Sequence, residues 1–166
     1  LVELAWQHED DNARVIVYVR QPENAGKVRD GLLAKVKGHA DAANRVALLT
    51  GTIRGHERDL LVAHPAVHGL LQSHDAYGQR IPPSHTTWLV ATSAGEVGAD
   101  FDADTLICDL APLASMIQRF GRVNRRHRKG RIAQILVVLA GPDRQTANEA
   151  QGRGLQQLDH AEPETA

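Results

Sequence analysis

Residues 87–100 read TWLVATSAGEVGAD, and this stretch decides the fold. Its first half is a continuous apolar run, which suits a strand that is covered on both faces, as in a parallel sheet. Its second half consists of small residues and two glycines and ends in an acid. Such a turn at the carboxyl end of a parallel strand can present backbone N–H groups to an anion. An ordinary strand-to-helix turn with a capping Ser or Thr would have the same pattern.

Four further apolar runs are also predicted to be strands. They are RVIVYV (14–19), RVALLT (45–50), TLICDL (105–110) and IAQILVVL (132–139). Helical patterns separate several of these runs. The predicted helices run from Pro22 to Gly38, from Gly55 to His64 and from Pro112 to Asn124. Strands that alternate with helices predict an α/β domain with a parallel sheet between helical layers.

The chain has 166 residues and a net charge of −1, which fits one globular domain. No apolar run approaches the roughly 18 residues of a membrane span, and the N-terminus lacks a signal-peptide pattern. We therefore expect a cytoplasmic protein without membrane contact. The single cysteine, Cys108, lies within an apolar run, so we expect a buried thiol.

We expect the main domain to cover residues 13–141, followed by a polar tail at 142–166. Residues 1–12 are interpreted as a short helix or as a linker from a preceding domain. Residues 64–86 contain three prolines, two glycines and four histidines, which predicts an irregular surface insertion. Their scattered histidines do not predict a metal site, because no metalloprotease glutamate accompanies them.

Positive charge is concentrated in QRFGRVNRRHRKGR, residues 118–131. If this stretch continues the third helix, Gln118, Arg122 and Arg125 lie at i, i+4 and i+7 on one face. The nearly opposite face would be apolar and would carry Leu113, Met116, Phe120 and Val123. Two arginines on one face can bind a phosphate through their planar guanidinium groups, as an arginine finger does.

A second interpretation of this charge is a solvated basic helix end that complements the helix dipole. Less specific cations in the same stretch fit that interpretation, or a general attraction to nucleic-acid phosphates. They are Arg119, Arg126, Arg128, Lys129 and Arg131. The segment LLTGTIRGHERD, residues 48–59, likewise places a turn between a strand and a helix. Its Thr50, Gly51 and Thr52 suit either a phosphate backbone or ordinary turn chemistry.

Four of these segments resemble the motifs of a superfamily 2 helicase, in its second (C-terminal) RecA-like domain. TSAGEVGAD resembles motif V, and QRFGRVNR resembles motif VI in its Q-R-x-G-R-x-x-R form. VYVRQPENA (17–25) resembles motif IV, and LLTGTIRGHERD resembles the segment that follows it. The residue sequences S-A-G-E-V-G and G-R-V-N-R-R are similar to the corresponding motifs in the helicase–nuclease of type I CRISPR systems. This resemblance covers residues 14–139 and implies a RecA-like three-layer α/β/α sandwich with a mainly parallel central sheet.

The resemblance also implies functional roles. Arg122 and Arg125 would be arginine fingers that reach ATP, with Gln118 beside the γ-phosphate, and Gly98 and Asp100 would contact the nucleotide side of the cleft. The residues implied near single-stranded DNA are Arg20, Thr50, Gly51, Thr92 and Ser93. Ala99 departs from the family, which usually has a larger aliphatic residue there.

Two elements of a complete ATPase site are missing from this sequence. It contains no G-x-x-x-x-G-K-[ST] phosphate loop and no D-E-x-[DH] box for magnesium. In the family, both belong to the first RecA-like domain, which would hold most of the ATP and Mg²⁺. We therefore expect one half of an ATP-dependent helicase site that is inactive alone.

The resemblance implies three partners: the first RecA-like domain of the same protein, single-stranded DNA and a CRISPR RNA-guided surveillance complex. Another superfamily 2 DNA or RNA helicase is an alternative, as is a non-catalytic nucleic-acid-binding module of the same fold. The presence of Gln118, Arg122, Arg125 and Asp100 together argues against the non-catalytic module.

Overall fold

The computed structural model describes residues 1–51, 55–96, 100–125 and 131–139. The strands are β1 (Arg14–Tyr18), β2 (Val46–Leu49), β3 (Thr87–Ala91), β4 (Thr105–Asp109) and β5 (Gln134–Val138). The helices are α1 (Val2–Trp6), α2 (Pro22–Val36), α3 (Ala42–Arg45), α4 (Gly55–Ala63), α5 (Pro65–Leu71) and α6 (Leu113–Phe120). Short 3₁₀ turns lie at Glu9–Asp11 and Ser93–Gly95. Each of the five apolar runs that were predicted to be strands contains an observed β-strand.

The five strands form one sheet in the order β2-β3-β1-β4-β5, and every pair is parallel. At the centre, Tyr18 of β1 lies opposite Ala91 of β3 on one side and Cys108 of β4 on the other. Every residue of β1 and β3 is buried, as expected for strands covered on both faces. The prediction of a parallel sheet is confirmed.

A separate hydrophobic core lies on each face of the sheet. Successive side chains of a strand point to opposite faces, so β1 contributes to both cores. Val15 and Val17 pack in the core that includes residues of α1 and α2. Ile16 and Tyr18 pack in the core that includes residues of α5 and α6. The result is the three-layer α/β/α sandwich expected from the sequence.

The N-terminal helix α1 packs on the same core as α2. The indole rings of Trp6 and Trp88 are stacked with centroids 5.7 Å apart, and the Trp88 ring N–H donates to the Ala5 carbonyl at 2.9 Å. A Cβ added at Gly31 of α2 would lie 2.9 Å from a methyl group of Val2. The two helices therefore approach closely, and of the two interpretations of residues 1–12, this stretch contains the short helix.

The segment 64–86 differs from the irregular insertion expected from the sequence, because it begins with helix α5. Three of its side chains, Ala66, Val67 and Leu70, are buried in the core. Pro65 directly follows His64, where the preceding helix is predicted to end. It also starts the next one, because proline is well suited to the first helical turn, and the His64 ring accepts a hydrogen bond from the Ala66 N–H.

Beyond α5, residues 73–81 form a small hairpin. An antiparallel bridge joins His74 to Arg80, and the turn contains Gly78 at a φ of +75°. The Asp75 carboxylate accepts from the backbone N–H groups of Tyr77 and Gln79 at 2.9 and 2.7 Å. This part of the segment is held by local side-chain hydrogen bonds, as in many tight turns.

Helix α6 is shorter than predicted. It ends at Phe120, and Asn124 has a φ of +44°, a left-handed conformation that asparagine tolerates. The Ala103 N–H donates to the Arg122 carbonyl at 2.8 Å, and Val123 bridges to Ala103. This tertiary contact draws the chain off the helical path. The proposed face of Gln118, Arg122 and Arg125 at helical spacing is therefore wrong.

The predicted apolar face of this helix is correct in part. Met116 and Val123 are buried, but Leu113 is 76% exposed and Phe120 is 37% exposed. Because the helix ends before Val123, that residue reaches the core from the turn instead. No helix among the described residues is long and apolar enough to cross a membrane.

Candidate functional site

The predicted nucleic-acid-binding residues all follow the carboxyl ends of strands. Arg20 follows β1, Thr50 and Gly51 follow β2, and Thr92 and Ser93 follow β3. Because the strands are parallel and adjacent, these residues lie along one edge of the sheet. The Thr92 N–H donates to the Leu49 carbonyl at 3.0 Å, which ties two of the loops together. Arg20, Gly51 and Ser93 are exposed there, whereas Thr92 is buried.

The turn after β3 packs tightly against the sheet at Gly95. A Cβ added at Gly95 would lie 3.0 Å from the Ala91 Cβ and 3.2 Å from a ring carbon of Tyr18. The Tyr18 hydroxyl donates to the Gly95 carbonyl at 2.7 Å. Burial raises the pKa of Tyr18 well above its ordinary value, so this hydroxyl remains a donor. A side chain at this position would therefore require Ala91, Tyr18 or the turn itself to shift.

Glu96, in the same turn, receives the buried guanidinium of Arg119. Their Oε1 and Nε atoms are 2.9 Å apart, and the two residues are 6% and 2% exposed. Arg119 also binds the Asp109 carboxylate at 3.0 Å and lies over the Tyr18 ring, 5.1 Å from its centroid. Burial lowers the pKa of Arg119, but its bonds to Glu96 and Asp109 outweigh this, and the pKa is raised overall. Arg119 is therefore a structural cation and not the less specific one that the sequence suggested.

Arg122 contacts the same turn. It is 7% exposed, and its Nη2 donates to the backbone carbonyl of Glu96. Glu96 therefore joins two arginines of the segment that resembles motif VI to the segment that resembles motif V. These two segments form one bonded unit.

Arg125 and Asp100, both predicted at the nucleotide, are brought together. The Arg125 Nε lies 2.5 Å from the Asp100 carboxylate, and the two side chains are 45% and 66% exposed. An ion pair this exposed contributes little stability, so it can be exchanged for another partner. Gln118 is exposed on α6. Gly98 and Ala99 lie outside the described residues.

Asp102 is a buried acid that anchors the turn containing Arg125. It is 3% exposed, and its Oδ1 accepts from the Arg125 backbone N–H at 3.0 Å. Its two oxygens bind Nη1 of Arg131 at 2.8 and 2.7 Å, and Oδ2 accepts from the Ser73 hydroxyl at 3.2 Å. Sequence reasoning had not singled out Asp102.

Arg131 differs from the solvated cation expected from the sequence. Its side chain is 11% exposed and is shared between Asp102 and Asp104. Burial lowers the pKa of Arg131, but the bonds to both acids raise it further than burial lowers it. Arg126, Arg128 and Lys129 lie outside the described residues.

Sequence reasoning also missed Glu96 and Asp109. A usable signal was present, since Asp109 interrupts an apolar run and Asp102 and Asp104 immediately precede one. Charged residues are rarely buried unless they are paired, so acids beside buried strands call for basic partners. Cys108, in contrast, is a buried free thiol as predicted. Within the described ranges, no group of three or more His, Cys, Asp or Glu side chains is placed to hold a metal ion.

Comparison with known families decides the relationship of this domain. The family model for the C-terminal part of the CRISPR-associated nuclease/helicase Cas3 matches residues 12–128. The chain belongs to this family. The Cas3 match spans both the segment that resembles motif V and most of the basic segment, so the resemblance to a superfamily 2 helicase C-terminal domain is confirmed.

Individual Cas3 proteins match this chain either over a short segment or over most of its length at lower identity. A Myxococcus xanthus (strain DK1622) protein named as a CRISPR-associated nuclease/helicase Cas3 is 51% identical over 35 residues, which are 21% of this chain and 5% of that protein. The crystal structure of T. fusca Cas3 is 25% identical, with a TM-score of 0.63, over 85% of this chain. The chain spans only 16% of that Cas3 structure.

Other solved structures support the fold alone. The T. fusca Cas3 structure with AMPPNP matches with a TM-score of 0.66 and 22% identity. The match covers 87% of this chain and 16% of the Cas3 chain. The structure of the DUF1998 helicase MrfA bound to DNA and AMPPNP matches with a TM-score of 0.62 and 21% identity. The match covers 99% of this chain and 20% of the MrfA chain. The chain has the RecA-like fold of the helicase domains in these proteins.

Proposed function

We propose that this chain is the C-terminal motor domain of an ATP-dependent helicase or translocase that acts on single-stranded DNA in type I CRISPR interference, an antiviral defence in the cytoplasm. The observation that carries this proposal is the Cas3 family match across residues 12–128. Since the chain spans 16% of the T. fusca Cas3 structure, the activity belongs to the longer protein. A CRISPR RNA-guided surveillance complex is the partner that would recruit that protein.

On the nucleotide side, the first RecA-like domain holds ATP and Mg²⁺, and this domain completes the site. Arg125 is the best-placed finger, because its guanidinium is exposed and is held, within the part of the chain that the structure describes, by the exposed Asp100. Arg122 donates to the Glu96 carbonyl, so its contact with a phosphate requires exchange of that hydrogen bond. Gln118 lies beside the γ-phosphate, and Gly98 and Asp100 line the same cleft. Positive charge placed at the transferring phosphoryl group stabilises the transition state.

On the nucleic-acid side, the carboxyl edge of β1, β2 and β3 contacts the sugar-phosphate backbone of one strand. This contact comprises Arg20, Thr50, Gly51, Thr92 and Ser93. Exposed small residues and backbone N–H groups suit phosphate contacts, which do not depend on sequence. Thr92 is buried and its N–H donates to the Leu49 carbonyl, so it supports the contact by holding the loops after β2 and β3 together.

The two sides are coupled by the Glu96 junction. Ser93 and Glu96 belong to one turn, and Glu96 binds Arg119 and Arg122. A displacement of Arg119 and Arg122 on ATP hydrolysis would therefore move the turn of Ser93 and Glu96 directly, and with it the contacts to single-stranded DNA. Repeated closing and opening of the two RecA-like domains would move the pair along the strand.

The decisive experiment uses Arg125→Ala in the full-length protein. We expect the kcat of DNA-stimulated ATP hydrolysis to fall by about 10³-fold or more, because an arginine finger contributes about 10³–10⁵-fold to kcat. Affinity for single-stranded DNA should change little, because Arg125 is not among the residues at the carboxyl edge of β1, β2 and β3. Arg29→Ala is a matched control, because Arg29 forms an exposed pair with Asp30 on α2.

Normal ATP turnover by Arg125→Ala would contradict the finger assignment. A full-length protein that binds single-stranded DNA but shows no ATPase activity would instead favour the non-catalytic binding module.

A further inference from the structure

We propose that Asp102 is a positioning residue for Arg125, and that it fixes the backbone of the turn after α6 so that the Arg125 guanidinium is presented to phosphate. This inference rests on the proposed function, because it concerns the same arginine. Asp102 itself would not touch ATP.

The turn after α6 needs an anchor of this kind. The helix ends at Phe120, so regular helical hydrogen bonds do not fix the backbone at Arg125. The left-handed Asn124 redirects the chain immediately before it. In this setting the Arg125 N–H donates to the buried Asp102 carboxylate at 3.0 Å, while the Arg125 side chain remains 45% exposed. The arrangement holds the backbone and leaves the guanidinium free to change partner.

Asp102 is itself rigidly held. Nη1 of Arg131 lies 2.8 and 2.7 Å from its two oxygens, and Ser73 contributes a further hydrogen bond from the start of the 73–81 hairpin. A residue that positions a reactive group has to be locked by its own neighbours. Asp102 meets this requirement, because it is 3% exposed and has donors from three separate segments.

Asp104 provides a close structural control. It binds the same Arg131 at 2.8 Å, accepts from the Arg14 backbone N–H at 2.9 Å and pairs with Arg80 at 2.7 Å. It is therefore another acid of the same network, with a similar number of partners. In contrast to Asp102, it has no described contact with Arg125.

The inference predicts a specific kinetic defect. A displacement of about 1 Å in a positioned group can lower the rate by about 10²-fold. Asp102→Ala should therefore lower the kcat of ATP hydrolysis by roughly 10–100-fold in the full-length protein. The KM for ATP should stay within about twofold, because the first RecA-like domain holds the nucleotide.

The test compares Asp102→Ala with Asp104→Ala for kcat, KM and thermal unfolding temperature. We expect both variants to unfold at lower temperature, and only Asp102→Ala to lose kcat. An equal kcat in the two variants, or a wild-type kcat in Asp102→Ala, would overturn the inference.

Two additional measurements keep the outcome clear. If Asp102→Ala does not fold, Asp102→Asn replaces it, with faster hydrogen exchange in the peptide that contains residues 121–125 as the expected result; unchanged exchange would count against the inference. Arg125→Ala is measured in parallel. If Arg125→Ala is inactive while Asp102→Ala matches Asp104→Ala, only the positioning inference fails, whereas normal turnover by Arg125→Ala contradicts the finger role proposed for Arg125 itself.

Discussion

Single residues of the two helicase-like segments fall into two groups. Gly95, Glu96 and Arg119 are buried and bonded, and each is required by its neighbours in the folded chain. Arg125 and Gln118 are exposed and contribute little to packing. The first group determines whether the site can form, and the second group provides the groups that we propose meet the nucleotide.

Gly95→Ala tests the packing requirement at the turn after β3. The added methyl would lie 3.0 Å from the Ala91 Cβ and 3.2 Å from Tyr18, so the sheet or the turn must shift. We expect the free energy of unfolding to fall by about 1–3 kcal/mol, measured by urea denaturation.

Gly26→Ala in α2 is the matched control for this substitution. No atom lies within 4 Å of the added methyl, and alanine favours a helix interior. It should therefore stabilise the chain by about 0.5–1 kcal/mol. A Gly95→Ala variant as stable as Gly26→Ala would show that the turn can move aside.

At the scale of elements, the strands and the bounds of α2 and α4 were predictable, and the end of α6 was not. Continuous apolar runs identify buried parallel strands, because every residue of such a strand contacts a covered face. Helix α6 stops at Phe120 although its apolar spacing continues to Val123. Gly121 caps this end, and beyond it the Ala103 N–H binds the Arg122 carbonyl, a contact between distant parts of the chain that apolar spacing does not reveal.

The candidate site was predictable to a similar degree. Motif residues such as Arg125 and Asp100 could be selected from the sequence, but their neighbours could not. Arg119 and Glu96 are separated by 23 residues, and Arg131 and Asp102 by 29. Only the folded sheet brings such pairs together, so helical spacing could not find them.

Asp104, just before β4, should contribute less to the free energy of unfolding in acid than at neutral pH. Burial raises the pKa of Asp104, but the Arg14 backbone N–H and Arg80 outweigh burial and hold the pKa below its ordinary value of 3.8. A lowered folded-state pKa contributes stability above the unfolded value, and this contribution is lost as the pH falls through the folded pKa. We therefore expect Asp104→Asn to unfold more easily than the wild type near neutral pH and to lose less stability on acidification. Urea denaturation from about pH 6 to about pH 3 measures this difference, since unfolded aspartate titrates near pH 4. Parallel curves for the two proteins would exclude a contribution from Asp104.

At the scale of the whole molecule, we propose that the domain provides one side of a shared ATP site. Its sequence contains no phosphate loop and no magnesium-binding acidic box. Its candidate residues occupy one edge of the sheet and the adjoining arginine turn, where a second domain can close over them. The motor role that we propose therefore depends on a second domain, whereas the fold of this chain does not.

The isolated chain should hydrolyse no ATP, with or without single-stranded DNA. The proposed arginines can stabilise charge only on a nucleotide that another domain holds. Phosphate release by the purified chain, compared with the full-length protein at equal concentration, measures this. Clear DNA-stimulated release by the isolated chain would contradict a divided site.

The tight packing at Gly95 has a consequence for the inheritance of this domain. A descendant that stopped using ATP would still be stabilised by that glycine and by the Glu96–Arg119 pair beside it. Its Arg125 and Gln118 would be released from that constraint and could drift. Among related sequences, loss of the exposed arginine with retention of the buried pair should therefore identify domains that kept the scaffold after the motor had stopped.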